Sequence, residues 1–509
     1  MTTSQPQPPQ RRAASVVALA ATLFGCSLTR EKAQCESTQE CKQAFGTGYV
    51  CASAGLCDLA DVEPACLTQT PGGLLLAPDE FPGHVVFGSL LRSIGKEGAR
   101  QDSALLALDA VNNFLQSSSE KYPSLGGLQF GMVQCNHDGA TDEVARLARY
   151  LSTDILVPAI LGPASSVNTL AAFSSVNLDE DKELRRTVFM SPSATSVALS
   201  SQESARPGFL WRTAPTDDGQ GRLMGEFAES EGLQYIAVYE ETAYGRGLYD
   251  ELSQQTDCGR CGFSFEASST SLDGLAGVLS TDDAVAALQN ADVVFFMGAQ
   301  EAHLSEMIQR LDTPEFDGKA LFFSDAGASA DTISQVKAQD VDRVFGTRPR
   351  SASEGEALRV FSSVYEARHE ESPLIHSFTT NTYDATWLLL LASLSALLSG
   401  EEVSAEAIAR GLTRLSSQEW KDVPERDCPT KHEDNRCEPI NLVANSLETA
   451  VEALQRFGEI DVRGASGPLD YDSKTEELLN SSDSFEFWHL EKADESGSEL
   501  VIQSGPPNL

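Results

Sequence analysis

From residue 84 onward, short apolar runs alternate with longer segments whose apolar positions recur every three or four residues. His84-Val-Val-Phe-Gly88 is the first run, and residues 98–115 follow with apolar side chains at 104, 107, 108, 111 and 115, one face of a helix. The same logic predicts strands over 128–133, 155–161 and 187–190 and a helix over 141–151. The run 155–161 is apolar throughout, as in a strand buried on both faces. The second half repeats the pattern, with strands over 235–239, 262–265, 293–297, 320–324 and 344–347 and a helix over 247–255 among the connections. Residues 353–415 read as helical. Within them the mostly apolar stretch 387–398 is too short to cross about 30 Å of hydrocarbon, so it reads as a core helix. The segment 417–437 is a polar insert, and the polar tail 491–509 holds one candidate strand at 500–503. Strands alternating with helices imply α/β architecture, parallel sheets covered on both faces. Two such arrays imply two lobes.

The amino terminus has a different pattern. Arg11 and Arg12 precede the mostly apolar stretch 13–24, which ends in Leu23-Phe24-Gly25-Cys26. This is the layout of a secretory signal over residues 1–25. The last four residues resemble a bacterial lipobox, which makes Cys26 the candidate lipid anchor and the cell envelope, periplasm or outer membrane, the expected location.

The chain has 11 cysteines. With Cys26 set aside, an even number remains for an oxidising compartment, where disulfides are the default. Cys35, Cys41, Cys51 and Cys57 fall in one short segment of the Cys-rich tether expected over 26–80. Three pairings are open to them. No C-x2-C spacing occurs there, so disulfides are favoured over zinc and no metal is expected. Cys66 is a candidate partner for Cys135, and Cys428 for Cys437. Cys258-Gly-Arg-Cys261 has thioredoxin-type spacing, but it follows a predicted helix. A reactive thiolate needs the opposite, amino-terminal end of the dipole, so a structural disulfide is the expectation.

The net charge of −38 excludes nucleic acid as a partner. No G-x-S-x-G, H-E-x-x-H, P-loop or G-x-G-x-x-G motif occurs, so no enzyme and no cofactor is implied. The chemistry lies at strand ends. Gly162-Pro-Ala-Ser165-Ser166 follows the third predicted strand, and Ser191-Pro-Ser193-Ala194-Thr195 the fourth. Ligands of open α/β sheets sit at such ends, where hydroxyls and helix N–H groups can hold an anion. Helix capping is the plain alternative for either turn alone.

These motifs resemble the type I periplasmic binding proteins, in the leucine/isoleucine/valine-binding branch. The resemblance runs from about residue 84 to 473. It includes the two serine turns, Phe209-Leu-Trp-Arg212-Thr-Ala-Pro215 with Asp217 and Gln220, and Tyr239-Glu-Glu. It continues through Ala243-Tyr244-Gly245, Ser324-Asp325-Ala326, Gly346-Thr-Arg-Pro349, Tyr383-Asp384-Ala385 and Gly467-Pro-Leu-Asp-Tyr-Asp472.

The resemblance implies two Rossmann-like lobes joined by three crossovers. Lobe 1 would hold 84–214 and 346–458, and lobe 2 would hold 215–345 and 459–509. It implies that Ser165 or Ser166, and Ser193 through Thr195, hold a ligand carboxylate. Asp325 would take a ligand ammonium, Tyr244 would close over the ligand, and Arg212 would be structural. The implied function is capture of an amino acid or similar small polar metabolite for an ABC-type permease. A same-fold regulator acting through protein contacts, for example on cell-wall synthesis, is the alternative. One loop departs from the family: where G-P-x-T-G is common after the first strand, this chain has Ser93-Ile94-Gly95-Lys96-Glu97-Gly98. That loop normally touches the ligand, so the ligand is left open.

Overall fold

The structure is a computed structural model. It describes residues 33–178, 186–205, 207–256, 261–267, 271–351, 355–416, 437–472, 475–479, 484–492 and 500–507. The expected signal, Cys26, Cys258, Cys428 and nearly all of the polar insert lie outside the described residues.

Two sheets organise the chain. In the first, the strands run in the order Thr68–Thr70, Gln129–Gln134, His84–Ser89, Ala159–Leu161, Val188–Ser191 and Leu210–Arg212. Only Thr68–Thr70 is antiparallel to its neighbour. In the second, the order is Gly262–Phe265, Tyr235–Glu240, Val293–Met297, Ala320–Phe323, Val344–Pro349, Phe485–Lys492 and Leu500–Ser504. The first five strands are parallel and the last two antiparallel. The second sheet buries both faces: Val238, Val294, Phe296 and Phe323 pack in one core, while Ala237, Phe295, Met297 and Phe322 pack in another. Consecutive residues point to opposite faces, so such strands must be apolar at every position.

The expected strand 155–161 is shorter, Ala159–Leu161. Pro158 has no N–H to give a sheet, and Leu156 has φ 59°, a left-handed conformation no strand accepts. Two crossovers also fall later than expected. The strand Val344–Pro349 pairs throughout within the second sheet, so the chain leaves that lobe after 349 and not at 346. Ile460, Val462, Leu469 and Tyr471 belong to the core of the first lobe, so the final return lies beyond 471 and not at 459.

The helix Thr379–Leu398 runs through the first lobe with nearly every residue buried. Its Asp384 accepts from the N–H groups of Ala465 and Ser466, both 2.7 Å, and from the Ser466 hydroxyl at 2.6 Å. That pins the returning segment to the helix. No helix among the described residues is long and apolar enough to cross a membrane.

The segment expected as a tether is a small folded module. The helix Thr38–Phe45 packs on two antiparallel strands, Tyr49–Cys51 and Cys57–Leu59. Of the three pairings, the chain adopts Cys35–Cys51 and Cys41–Cys57. The module docks on the first lobe, with Lys42 Nζ donating to the Leu156 carbonyl at 2.5 Å and Tyr49 to Asp79 at 3.1 Å. The lobe itself begins well before residue 84, since Cys66, Leu74 and Leu75 are in its core and Cys66 pairs with Cys135. Cys261 and Cys437 are also disulfide-bonded.

Candidate functional site

Both sheets place their ligand crevice by the same rule. In the first, the strand after His84–Ser89 lies on one side of it and the next strand, Ala159–Leu161, on the other. In the second, Tyr235–Glu240 stands in the same relation to Gly262–Phe265 and Val293–Met297. At such a switch point the loops leave in opposite directions and open a crevice beyond the carboxyl ends of the strands. The two crevices face each other across one cleft. From the first lobe it is lined by Arg92, Lys96, Glu97 and Arg100, by His137, by Ala164 to Asn168, by Ser193 and by Phe378. From the second it is lined by Glu240, Thr242, Tyr244, Ala299, Gln300, Asp325 and Ala326.

Five of the seven expected residues, Ser165, Ser166, Ser193, Tyr244 and Asp325, therefore meet in one cavity. Ala194 and Thr195 do not line it; both are fully buried behind it. The serine hydroxyls brace the two turns against each other. Ser193 donates to the Ala164 carbonyl at 2.8 Å, Ser191 donates to Pro163 at 2.7 Å, and Ser166 accepts from the Ser196 N–H at 3.2 Å. Ser165 caps the helix Ser166–Phe173, accepting from the Asn168 N–H at 3.4 Å. Arg212 is structural: its buried guanidinium binds Glu477 and donates to the Ser196 carbonyl at 2.7 Å, fixing the second serine turn from behind.

Across the cleft, the Tyr244 hydroxyl donates to Asp325 Oδ1 at 2.6 Å and lies 2.8 Å from the Ser324 hydroxyl. Burial pushes the carboxyl of Asp325 above the ordinary range, against the opposing hydrogen bond from Tyr244 and the charges of Lys96 and Arg100. Glu240, also buried, accepts from the Gln300 N–H at 3.2 Å and pairs with His303 Nδ1 at 2.9 Å.

Two residues absent from the sequence expectation dominate the floor of the cleft. Both stand in the first turns of the helix Gly95–Ser118, whose later residues Ala104, Leu108, Val111 and Leu115 are apolar core. Lys96 is buried, and its ammonium reaches over to the second lobe, 3.2 Å from the Ala326 carbonyl and 3.4 Å from that of Ala299. Arg100 is buried too, with Nε donating to the Ser377 carbonyl at 3.0 Å and Nη1 to the Ser193 hydroxyl at 3.1 Å. Its guanidinium lies over the Phe378 ring, 5.0 Å from the centroid. Phe378 has φ 69°, a conformation rarely held by so bulky a residue. Desolvation lowers the pKa of both cations, Arg100 to about 10. The departure of the 93–98 loop from the family pattern touches Lys96 alone; no sequence signal singled out Arg100.

A sequence model described as periplasmic binding protein matches residues 98–436. The chain belongs to the periplasmic binding protein family. Solved structures share its two-lobed, type I fold. The isoleucine complex of the branched-chain amino acid substrate-binding protein LivJ from Streptococcus pneumoniae aligns with a TM-score of 0.55 at 16% identity, covering 83% of this chain and 100% of that one. The leucine binding protein LivK from Thermotoga maritima gives 0.56 at 17% identity, with 83% and 98% covered. An ABC-transporter solute binding protein from Rhodopseudomonas palustris, in complex with 3,4-dihydroxybenzoic acid, gives 0.54 at 13% identity, with 83% and 96% covered. Comparison with curated protein sequences finds no match.

The larger cavity of this family member is elsewhere, between the disulfide module and the first lobe. Its walls include His84, Val85 and Pro158, at the amino ends of the strands, the end opposite to the cleft. Ligand sites of parallel sheets form at carboxyl ends, so the interlobe cleft is the candidate site despite its smaller size.

Proposed function

We propose that this protein is an extracytoplasmic solute-binding protein, held to the membrane by lipid on Cys26, that captures a small polar metabolite between its lobes and presents it to an ABC-type permease. The observation that carries this reading is the convergence of strand-end loops from both lobes on one cleft that carries Ser165, Ser166, Ser193, Tyr244 and Asp325. Binding is the whole mechanism: the solute bridges two surfaces, excludes water between them and stabilises the closed arrangement, which a permease recognises. The solutes in the crystal structures of similar proteins, isoleucine and 3,4-dihydroxybenzoic acid, set the size range. In that reading Ser165, Ser166 and Ser193, with Arg100, face the acidic end of the solute, and Tyr244 covers it.

A thermal-shift screen of the protein against amino acids and small organic acids tests the reading. A ligand bound at a hundred times its Kd adds about 2.7 kcal/mol to stability and raises the melting temperature. The expected outcome is a rise with at least one compound, lost in Ser166→Ala and reduced in Asp325→Ala, which frees the Tyr244 hydroxyl that covers the solute. No rise with any small polar compound sinks the transport reading.

A further inference from the structure

The cleft resolves into charged groups that are answered and charged groups that are not. Among its carboxylates, Glu97 receives the Arg92 side chain at 3.0 and 2.8 Å and the Arg92 N–H at 3.0 Å. Glu240 is engaged by His303 and the Gln300 N–H. Asp325 is engaged by Tyr244, and Asp138 is exposed and accepts from the Ala140 N–H at 2.7 Å.

The cations differ. Neither Lys96 nor Arg100 forms an ion pair within 4.0 Å among the described residues, although each is more than nine-tenths buried. Lys96 has two backbone carbonyls for three donors, and Arg100 has one carbonyl and one hydroxyl for five. Arg100 Nη2 makes no hydrogen bond among the described residues and is not closed off from the cavity, so it stands open to a ligand acceptor. The donors facing this cavity therefore call for an oxyanion, and a planar guanidinium suits a carboxylate best.

The same geometry works against an ammonium. A ligand ammonium needs acceptors on the second lobe, where Asp325 and the neighbouring carbonyls stand. The Lys96 ammonium already holds the carbonyls of Ala299 and Ala326 and lies within electrostatic reach of Asp325. A second cation there would meet Lys96 and Arg100 at close range in a low dielectric. The remaining unpartnered polar atoms on the wall, Asn168 Oδ1 and His137 Nδ1, suit a hydroxyl or water and carry no negative charge.

We propose that the solute is a small organic anion without an ammonium group: the protein's own Lys96 fills the place an amino acid would give to its ammonium, and Arg100 takes the acid. This rests on the solute-binding reading above.

The test is isothermal titration of the full chain with matched pairs that differ only in the ammonium: 4-methylpentanoate against L-leucine, 3-phenylpropionate against L-phenylalanine, and succinate against L-aspartate. The expected result is that the acid of at least one pair binds ten times or more tighter than its amino acid. Arg100→Gln then weakens that acid at least tenfold, and Lys96→Met narrows the gap within the pair. The wild-type comparison needs no variant, so it stands even where a substitution disturbs folding. If an amino acid binds as tightly as its acid or tighter, the inference is overturned while the solute-binding reading survives. An acid that binds equally well to a folded Arg100→Gln overturns the role of Arg100. If no member of any pair binds and the wider screen is also silent, the solute-binding reading falls and takes the inference with it.

Discussion

Asp384 gives a prediction whose sign and size follow from its surroundings. Its carboxyl is fully buried under the helix Thr379–Leu398 and holds the turn at Ala465 and Ser466 by three short hydrogen bonds. Burial raises its pKa from 3.8 to about 6, the opposing hydrogen bonds recovering only part of the cost. The folded protein therefore binds this proton more tightly than the unfolded chain does. The stability it contributes is fully present below pH 3.8 and is lost as pH rises through 6. The interval of 6 − 3.8, about two units at 1.36 kcal/mol each, amounts to roughly 3 kcal/mol. Asp384→Asn removes the titration. Its amide places one N–H among donors, which adds an offset, but that offset does not change with pH. Urea unfolding of both proteins from pH 4 to 7.5 reads the difference. The variant should gain roughly 2.5 kcal/mol on the wild type across that range, most of it below pH 6.5, because at pH 4 the unfolded carboxyl is already half ionised. All other groups titrate alike in the two proteins and cancel. Parallel stability curves would refute the reasoning and show that the three hydrogen bonds fully compensate the buried charge.

Further outcomes follow from packing. Arg212→Met leaves the Glu477 carboxylate without its cation, with only the Ser200 hydroxyl still donating to it; chemical denaturation should show a loss of about 3 kcal/mol, the low end for a broken buried pair because Glu477 is partly exposed. Weaker solute binding should accompany it, since the same guanidinium fixes the serine turn. Removing the Cys66–Cys135 bridge as the double serine variant frees a loop with sequence separation 69, worth about 4 kcal/mol by the chain-entropy relation, and should lower the melting temperature under oxidising conditions only. Gly464→Ala sets a Cβ 2.1 Å from the Asp384 carboxylate, and a loss of about 1–3 kcal/mol should appear in urea unfolding.

The sheets were legible in the sequence wherever strands are apolar on both faces, as in Val293–Met297 and Ala320–Phe323. Strands with polar positions were not. Thr68–Thr70 is a polar tripeptide on a sheet edge, and Phe485–Lys492 interrupts its Phe, Trp and Leu side chains with Glu486, His489, Glu491 and Lys492. The run 155–161 misled in the other direction, since apolar character alone does not make a strand through Pro158. The serine turns were legible because motifs at strand ends fall at the crevice, and Tyr244 and Asp325 through the family resemblance. Thr195 was included with its turn, but only the structure distinguishes the wall of a cleft from what lies behind it. Lys96 and Arg100 stayed hidden for a physical reason. A Lys and an Arg four apart near a helix start read as solvated surface, and their partners are distant in sequence, Ala299 and Ala326 for Lys96 and Ser193, Ser377 and Phe378 for Arg100, which local pattern cannot register.

The most direct measurement is a crystal structure of the protein grown with the tightest-binding acid of the matched pairs. The solute should lie between the lobes, its carboxylate within about 3 Å of the Arg100 guanidinium and near the Ser193 hydroxyl. Density for the acid in the cavity beside the disulfide module, with nothing bound between the lobes, would contradict the account.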